Sequence, residues 1–555
     1  MKKYLFIVLI SFISSTIYSQ DTYEDVYNVF QSKCMPCHNS ANQTSSLNLE
    51  GIGTNTAQKM ADVYAKLYKQ TPANSVATAN KNFLIYPGDP YKSFLYRKMD
   101  HGLTAGLQLE TGEGAAMPVY GGSSVADKEI ELVRQWILYG AQETGVTFDK
   151  TLMEDYYDNG GIESIVNPPM PPAPGEGFQI HLGPYYIDAG DEIEYFSKYD
   201  LLLDSDLEIY KIQTEMGSFS HHFIVYKFSS TFGNVDPNLV PYGMREGQDF
   251  DGREFVSVAQ YSNTLNVPNG AAFLWPQESV LDLNTHYINY SSTQVLKCEV
   301  FYNVYTQASG TANQVMEVIL VPNMNIPIPN DNVSVTFQDV FSIPADIDIF
   351  VWGITSHTHA YGKDFNIFKR TSLGTRGEQI YDAGCANGIP GCNLEDFDYS
   401  HLPIRFFSPF EIINLQDGID YEATYENDGP TSVNWGFTSS DEMMIFVAFY
   451  LLDTTGVDMG EPLPPDTTVN TAIKDQTPID ELKAYPNPTG NLLNFKIEQG
   501  ESYTLVIYDI NGSKILDKIA NKDATFDVST WTNGLYFYLL KKDDKFIAQG
   551  KFLKN

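Results

Sequence analysis

Nine histidines are spread over 555 residues, and six of them stand where a ring nitrogen could bind metal. His38 closes the run Cys34-Met35-Pro36-Cys37-His38, a C-x-x-C-H pattern. Residues three apart share a helix face, so both thiols can bond to the vinyl groups of one heme while the adjacent His38 meets the iron; the spacing fits c-type attachment. The alternatives are a redox dithiol or half of a zinc site. Zinc needs further Cys or His nearby and a redox pair a βαβ setting, and neither is visible. His357 and His359 stand one residue apart in ITSHTHAYGK, a stretch that reads as a strand. Period-two alternation turns both rings to one side, where they can converge on a metal. A lone H-x-H can also be two solvated side chains. His221 and His222 in SHHFIVYKF and His286 in LNTHYINYSS lie in strand-like contexts of the same segment, a concentration that surface histidines rarely reach. Neighbours on a regular strand face opposite ways, so His221 and His222 can act together only at a bulge or a strand end.

These groups need elements to position them. In DTYEDVYNVF, Tyr23, Val26, Tyr27 and Phe30 recur at helical spacing, and Ile130, Val133, Trp136 and Ile137 do so in SSVADKEIELVRQWILYGA. Ser124 or Asp127 can cap the second helix and Gly140 can end it. Beyond residue 178 the pattern changes to short alternating runs with turn residues between them. DIFVWGIT and MIFVAFYLL are the clearest strands, and β-sandwiches are expected. The Pro-rich stretches at 167–177 and 460–478 read as spacers, and Pro interrupts a strand-like run near 321–331. The expected fold class is therefore multidomain and mainly β. The expected segments are a signal peptide at 1–19, a helical domain at 20–150, a linker at 151–177, sandwiches at 178–322 and 323–454, a linker at 455–478 and a small β-sandwich at 479–555.

A chain this long exceeds the roughly 250–300 residues of a single core. Its 43% apolar and 13% aromatic content can fill several. The formal charge of −35, with no local cluster of Lys or Arg, repels phosphate backbones and anionic lipid, so nucleic-acid binding is not expected. MKK, an apolar run from Leu5 to about Ile13, and small polar residues ending at Ser19-Gln20 form an export signal with cleavage expected after Ser19. No Cys follows it for lipid anchoring, and no other run nears the ~18 apolar residues that span a bilayer. Five cysteines leave at least one outside intramolecular pairs. Cys385 and Cys392, in GCANGIPGC, are placed for a local disulfide, and Cys298 reads as a small buried hydrophobe.

Segment 21–145 resembles class I-like c-type cytochromes, the runs IYPGDPYKSFLYRKM and Met117-Pro118 looking like a subgroup found in secreted multidomain bacterial proteins. An all-α heme domain is implied, with Cys34 and Cys37 bonded to one heme c and His38 on its iron. Met117, in the Gly-rich loop before the closing helix, is the candidate distal ligand, and a thioether there raises the reduction potential. His101 is the competing ligand, and a packing role the plain alternative for Met117.

HH, THY, HTH and GFTSSDEM, in that order across about 178–454, resemble the copper type II, ascorbate-dependent monooxygenases, the family of peptidylglycine α-hydroxylating and dopamine β-monooxygenases. The resemblance implies two antiparallel, jelly-roll-like sandwiches and two copper ions on either side of a cleft between them. His221, His222 and His286 would hold the electron-transferring copper. His357, His359 and Met443 would hold the copper that meets O2 and attacks a substrate C–H bond. Thioether and imidazole suit the Cu(I) state. Met444 is the adjacent alternative, but the SSDEM match selects Met443. The pattern also departs from the family: Thr355, Ile445 and Val447 stand where the peptide-amidating members carry an Arg, an Asn and a Tyr that hold a substrate carboxylate. A glycine-extended peptide is therefore a poor fit, and most of the family's disulfide cysteines are missing.

The tail contains YPNP, a D-x-NG turn and hairpin-like runs, and 479–555 resembles the C-terminal sorting domain of the type IX secretion system. The expectation is a secreted or surface-bound copper monooxygenase that carries its own heme as an electron relay. It would act on a small molecule or peptide with O2 and an external reductant, and the secretion machinery would be its partner. A copper-binding protein without turnover and an electron-transfer module are the competing readings.

Overall fold

The computed structural model describes residues 21–42, 47–119, 124–217, 219–228, 235–246, 253–385, 387–390, 397–436 and 440–460, and, towards the C-terminus, 484–486, 489–495, 503–509, 514–520, 524–532, 534–542 and 545–554. The expected export signal, Cys392 and most of the 455–478 spacer lie outside these residues. The chain forms two compact units, Met1–Pro462 and Leu463–Asn555. Most regular structure is strand, arranged in several sheets. No helix among the described residues is long and apolar enough to cross a membrane.

The helix Thr22–Val29 runs into a π turn, Phe30–Cys34, and presents Tyr23, Val26, Tyr27 and Phe30 to Ile130, Val133, Trp136 and Ile137 of the helix Asp127–Leu138. Tyr23 stacks on Trp136 at 5.1 Å. Each fully buried apolar side chain of this size stabilises by about 1.5–3 kcal/mol, so this seam holds the helical region together. The capping differs from expectation. Ala126 is the N-cap residue, and the Glu129 side chain reaches back 2.8 Å to its N–H, so neither Ser124 nor Asp127 is needed. Gly140 does end the helix, at φ +99, with Ala141 N bonded to Trp136 O and Gly140 N to Ile137 O, a Schellman closure.

The stretch expected as a linker from 151 starts instead with a helix, Lys150–Asn159. Asp149 caps it through Thr151 N, and Leu152, Met153, Tyr156 and Tyr157 pack with Phe148, Tyr186 and Val295. A short strand, Ile162–Glu163, then pairs with Leu296–Lys297. Only the Pro-rich part that follows is extended, because the apolar residues before it have a surface to cover.

The helical region is docked on the first sandwich through direct contacts. Tyr91 Oη donates to Gly183 O at 2.8 Å and Lys69 Nζ to Tyr242 Oη at 3.1 Å, while Tyr86 bonds Asp200. Gly140 and Gly243 meet backbone to backbone: a Cβ on Gly140 would lie 2.5 Å from Tyr242 O, and one on Gly243 2.4 Å from Gly140 N.

The first sandwich places Leu296–Ala308 between Gly177–Ile187 and Leu207–Glu215 in one sheet. Val280–Ile288 lies between Glu192–Asp200 and Ser220–Phe228 in the other, with Arg253–Ala259 beyond. Leu281, Leu283, Phe223 and Val225 fill the core against Val300, Tyr302 and Val304. The second sandwich has a sheet ordered Glu317–Pro322, Ile445–Leu451, Asp348–His357 and Arg405–Asn414, and a second one of Val335–Phe341, Ile419–Tyr425, Gly362–Arg370 and Arg376–Asp382. Glu317–Pro322 pairs with Ile445–Leu451, so the boundary between the sandwiches falls near 316, earlier than the expected 322. The expectation followed the Pro residues, the first of which, Pro322, ends this strand.

Alternation along Ile445–Leu451 sends Phe446 and Ala448 into the second sandwich's own core and Ile445, Val447, Phe449 and Leu451 towards the first sandwich. The sandwiches thus share an apolar seam. In the other unit, Tyr503–Asp509 pairs with Lys514–Ala520 and Gly534–Lys542 with Lys545–Lys554, around a core of Leu493, Phe495, Leu505, Ile507 and Phe552. Both hairpins were expected, although residues 510–513 and 543–544 at their turns are outside those described.

Candidate metal centre

The adjacent pair His221-His222 meets the condition set by its sequence. In the pairing of Ser220–Phe228 with Val280–Ile288, His286 faces His222 but Tyr287 faces Ser220, so His221 is the extra residue of a bulge. The bulge cancels the alternation that would send the two rings to opposite faces. Their centroids lie 5.2 Å apart, and that of His286 lies 5.0 Å from each of them.

The H-x-H pair converges by a different route from plain strand alternation. The strand ends at His357, and His359 lies in the turn after it. A buried carboxylate, Glu442, fixes that turn. Its Oε2 accepts the N–H of His359 at 2.9 Å and of Met443 at 3.1 Å, and its Oε1 that of Tyr361 at 2.6 Å. Burial pushes the carboxyl up to about 7 while these N–H groups pull it down. The His357 and His359 rings lie 5.2 Å apart, nearly perpendicular.

Met443 and Met444 separate by strand parity. Met443 keeps step with Ile445 and Val447 and lines the inter-sandwich cavity with His357 and His359. Met444 is in the second sandwich's core, its sulfur accepting from Asn323 Nδ2.

The two histidine sets form one cluster. His221 to His357 and His222 to His357 are both 5.6 Å between centroids, and His221 to His359 is 6.3 Å, hardly longer than the spacings within each sandwich. Ring nitrogens of His221, His222 and His357 all lie within 4.8 Å of one another. The resemblance led to two groups on either side of a cleft, whereas here the sandwiches are closed on each other at this point. Gln260 of the first sandwich provides one tie, donating to Ser356 O at 3.1 Å and accepting from Leu402 N at 3.3 Å. Tyr399 covers His221 from the second sandwich, at 6.0 Å.

The chemistry of the cluster suits a soft metal ion. Burial, with repulsion from neighbouring rings, holds His221, His222 and His357 well below the usual imidazole range, and burial brings His359 down to about 4. Neutral imidazole is the ligating form. Nδ1 of His221 and of His222 are buried with no protein partner. Two of the other rings are oriented from behind, as metal-bound histidines usually are: His286 Nε2 by Glu192 and His359 Nδ1 by Asp441 O at 3.0 Å. These donors fit copper, and zinc rarely takes a thioether.

The cavity beside the cluster measures about 490 Å³. Thr355, Ile445 and Val447, the positions at which the sequence departs from the family it resembles, are all on its wall.

In the helical region, Cys37 N and His38 N both bond to Cys34 O, at 3.1 and 3.0 Å, so the C-x-x-C-H run is one tight turn following the π turn. Neither thiol is in a disulfide. Burial pushes the Cys34 thiol up to about 12. His38 Nδ1 is buried without a partner, which leaves a ring nitrogen open to a metal. Met117 is half-buried, its N–H on Lys98 O at 2.6 Å, and the exposed His101 ring bonds Met117 O at 2.8 Å. Cys298 is buried as expected, and Cys385 is disulfide-bonded.

Sequence reasoning passed over Glu442, Gln260 and Glu192. For Glu442 a signal existed: it shares parity with Met444 and Phe446, which places a carboxylate on a core-facing position where it must find donors.

Residues 483–555 match the model of the secretion system C-terminal sorting domain. That tail directs the protein to the type IX machinery and so to secretion or attachment at the cell surface. A search of the curated proteins gives no match. Among solved structures, the chain is similar to the STIV MCP (11% identity over 50% of this chain and 97% of that one, TM-score 0.24). It is also similar to the Parabacteroides merdae β-glucuronidase (7%, 46% and 31%, TM-score 0.16) and to the VP2 subviral particle of infectious bursal disease virus (12%, 55% and 78%, TM-score 0.15). Likeness at these scores carries no argument about fold or function.

Proposed function

We propose that this exported protein is a copper-dependent monooxygenase that hydroxylates a C–H bond with O2, and that its helical region holds a c-type heme as an electron source. The observation that carries the reading is the clustering of five buried imidazoles in one chain of ring contacts of 5.0–5.6 Å, beside a cavity that Met443 also lines. Bound copper would supply one-electron chemistry and O2 activation, and a heme on Cys34, Cys37 and His38 would supply electrons.

The protein's own part is positional. The bulge at His221 and the Glu442 clamp fix the ligand directions before any metal arrives. Glu192 and the Asp441 carbonyl set which nitrogens of His286 and His359 face the centre. Met443 adds a thioether suited to the cuprous state. The cavity walls hold a substrate C–H bond against the imidazoles and exclude water.

Copper-loaded protein with ascorbate and a panel of small molecules tests the proposal. The expected result is O2 consumption coupled to a product one oxygen atom heavier. Copper binding with no coupled uptake for any substrate would favour a second reading, a copper-capture protein. That reading draws on the His221, His222 and His357 nitrogens, close enough to grip a single ion.

A further inference from the structure

The cavity is a gap between two sheet faces. The wall from the first sandwich follows strand parity from His222 through Ile224 to Tyr226, with Asn284 and Val258 beside them. The opposite wall is built from Val318, Leu320, Ile445 and Val447, with Thr355 next to His357. The apolar residues on both walls come from strands whose alternate side chains serve the sandwich cores.

Apart from the imidazoles, three charged side chains among the described residues reach the lining, and each has a partner within the protein. Arg253 Nε donates to Asp282 at 2.5 Å. Glu254 pairs with Lys227 at 3.2 Å. Glu194 accepts from Asn284 Nδ2 at 2.9 Å and lies 3.9 Å from His222 Nε2. A ligand charge entering this space would be stripped of water without gaining a counter-charge, a cost of several kcal/mol that apolar contact does not offset. A neutral ligand loses little and gains burial. Pockets of this volume enclose a small organic molecule.

We infer that the cavity selects neutral, largely apolar organic molecules, with a C–H bond presented to the His357–His359 side, and excludes both carboxylates and amines. The inference rests on reading the cavity as the substrate site of the proposed monooxygenase. It reverses the usual polarity of a site that anchors its substrate by a charge: here the positions Thr355, Ile445 and Val447 offer a wall instead of a clamp.

Calorimetric titration of metal-free protein with three probes of matched shape tests it at neutral pH: 4-phenyl-1-butanol, 4-phenylbutanoate and 4-phenylbutylamine. The alcohol should bind at least ~10-fold more tightly than either ion. Val318→Trp, which fills the space from a half-buried strand position, should abolish alcohol binding while the circular dichroism spectrum stays unchanged. Val258→Trp from the opposite wall serves if that variant does not fold. Equal or tighter binding of either ion, no heat with the alcohol at its solubility limit, or alcohol binding that survives in the folded Trp variant each overturns the inference. Because no metal is present, the result is independent of turnover. Alcohol binding without O2 uptake in the copper-loaded protein would defeat the monooxygenase reading alone, and coupled uptake with only charged substrates would defeat the selectivity alone.

Discussion

Replacing Glu442 should damage the protein in two separable ways. Its carboxylate accepts the backbone N–H groups of His359 and Met443, both buried, and of Tyr361, which is half-buried. Glu442→Ala orphans these three donors whatever protonation state the carboxyl holds. Each buried donor left unpaired costs about 1–3 kcal/mol, and relaxation of the turn recovers part of that, so a loss of about 3–6 kcal/mol is expected. Glu442→Gln keeps one acceptor for the N–H groups of His359 and Met443 and turns its amide towards Tyr361. One bond is lost and two weaken, for about 1–3 kcal/mol. Denaturant unfolding of metal-free protein measures both. The second effect is on the metal. The same bonds aim His359 and Met443, so the Gln variant, still folded, should bind Cu(I) about 10–100-fold more weakly in competition with a chromophoric chelator. An Ala variant within about 1 kcal/mol of the parent, or a Gln variant with unchanged copper affinity, would refute the clamp.

Three further outcomes are expected. His222→Ala and His357→Ala, from different sandwiches, should each reduce copper retained after dialysis, and the double variant should retain about as much as the weaker single one, because the rings belong to one cluster; additive losses by metal analysis would indicate separate sites. Cys34→Ala with Cys37→Ala should remove heme that survives denaturing electrophoresis and slow reduction of bound copper by an external donor, while copper content stays the same; unchanged heme staining would contradict the assignment. Burial pushes the Asp364 carboxyl up to about 6 from an ordinary 3.8, and its Oδ1 has no partner. A folded value above the unfolded one means that stability falls as pH rises through this window, so Asp364→Asn should raise the melting temperature at pH 8 and leave it nearly unchanged at pH 4.

Much of the site could be read from residue order. Alternation already required a bulge or a strand end at His221-His222, and a bulge is what the pairing with His286 provides. The same alternation separates Met443 from Met444. The helical seam from Tyr23 to Trp136 followed from its period. What stayed hidden depends on partners distant in sequence. The strand Glu317–Pro322 belongs to the second sandwich only because Ile445–Leu451 accepts it. Lys150–Asn159 is helical because Tyr186 and Val295 offer it a surface, despite the Pro-rich composition just downstream. The closeness of the two histidine sets arises where whole sandwiches meet, through contacts such as Gln260 to Ser356, which no local pattern encodes.

The meeting of Gly140 with Gly243 bears on how charge could move through this molecule. Main chain pressed against main chain leaves no slack for a swinging carrier, and a methyl group on either residue would force the halves apart. A redox group held at Cys34 and His38, as proposed, would therefore lie at a set distance from the imidazoles. The rate of such a transfer would depend on that span and on the driving force, and thickening the solvent with sucrose would leave it unchanged.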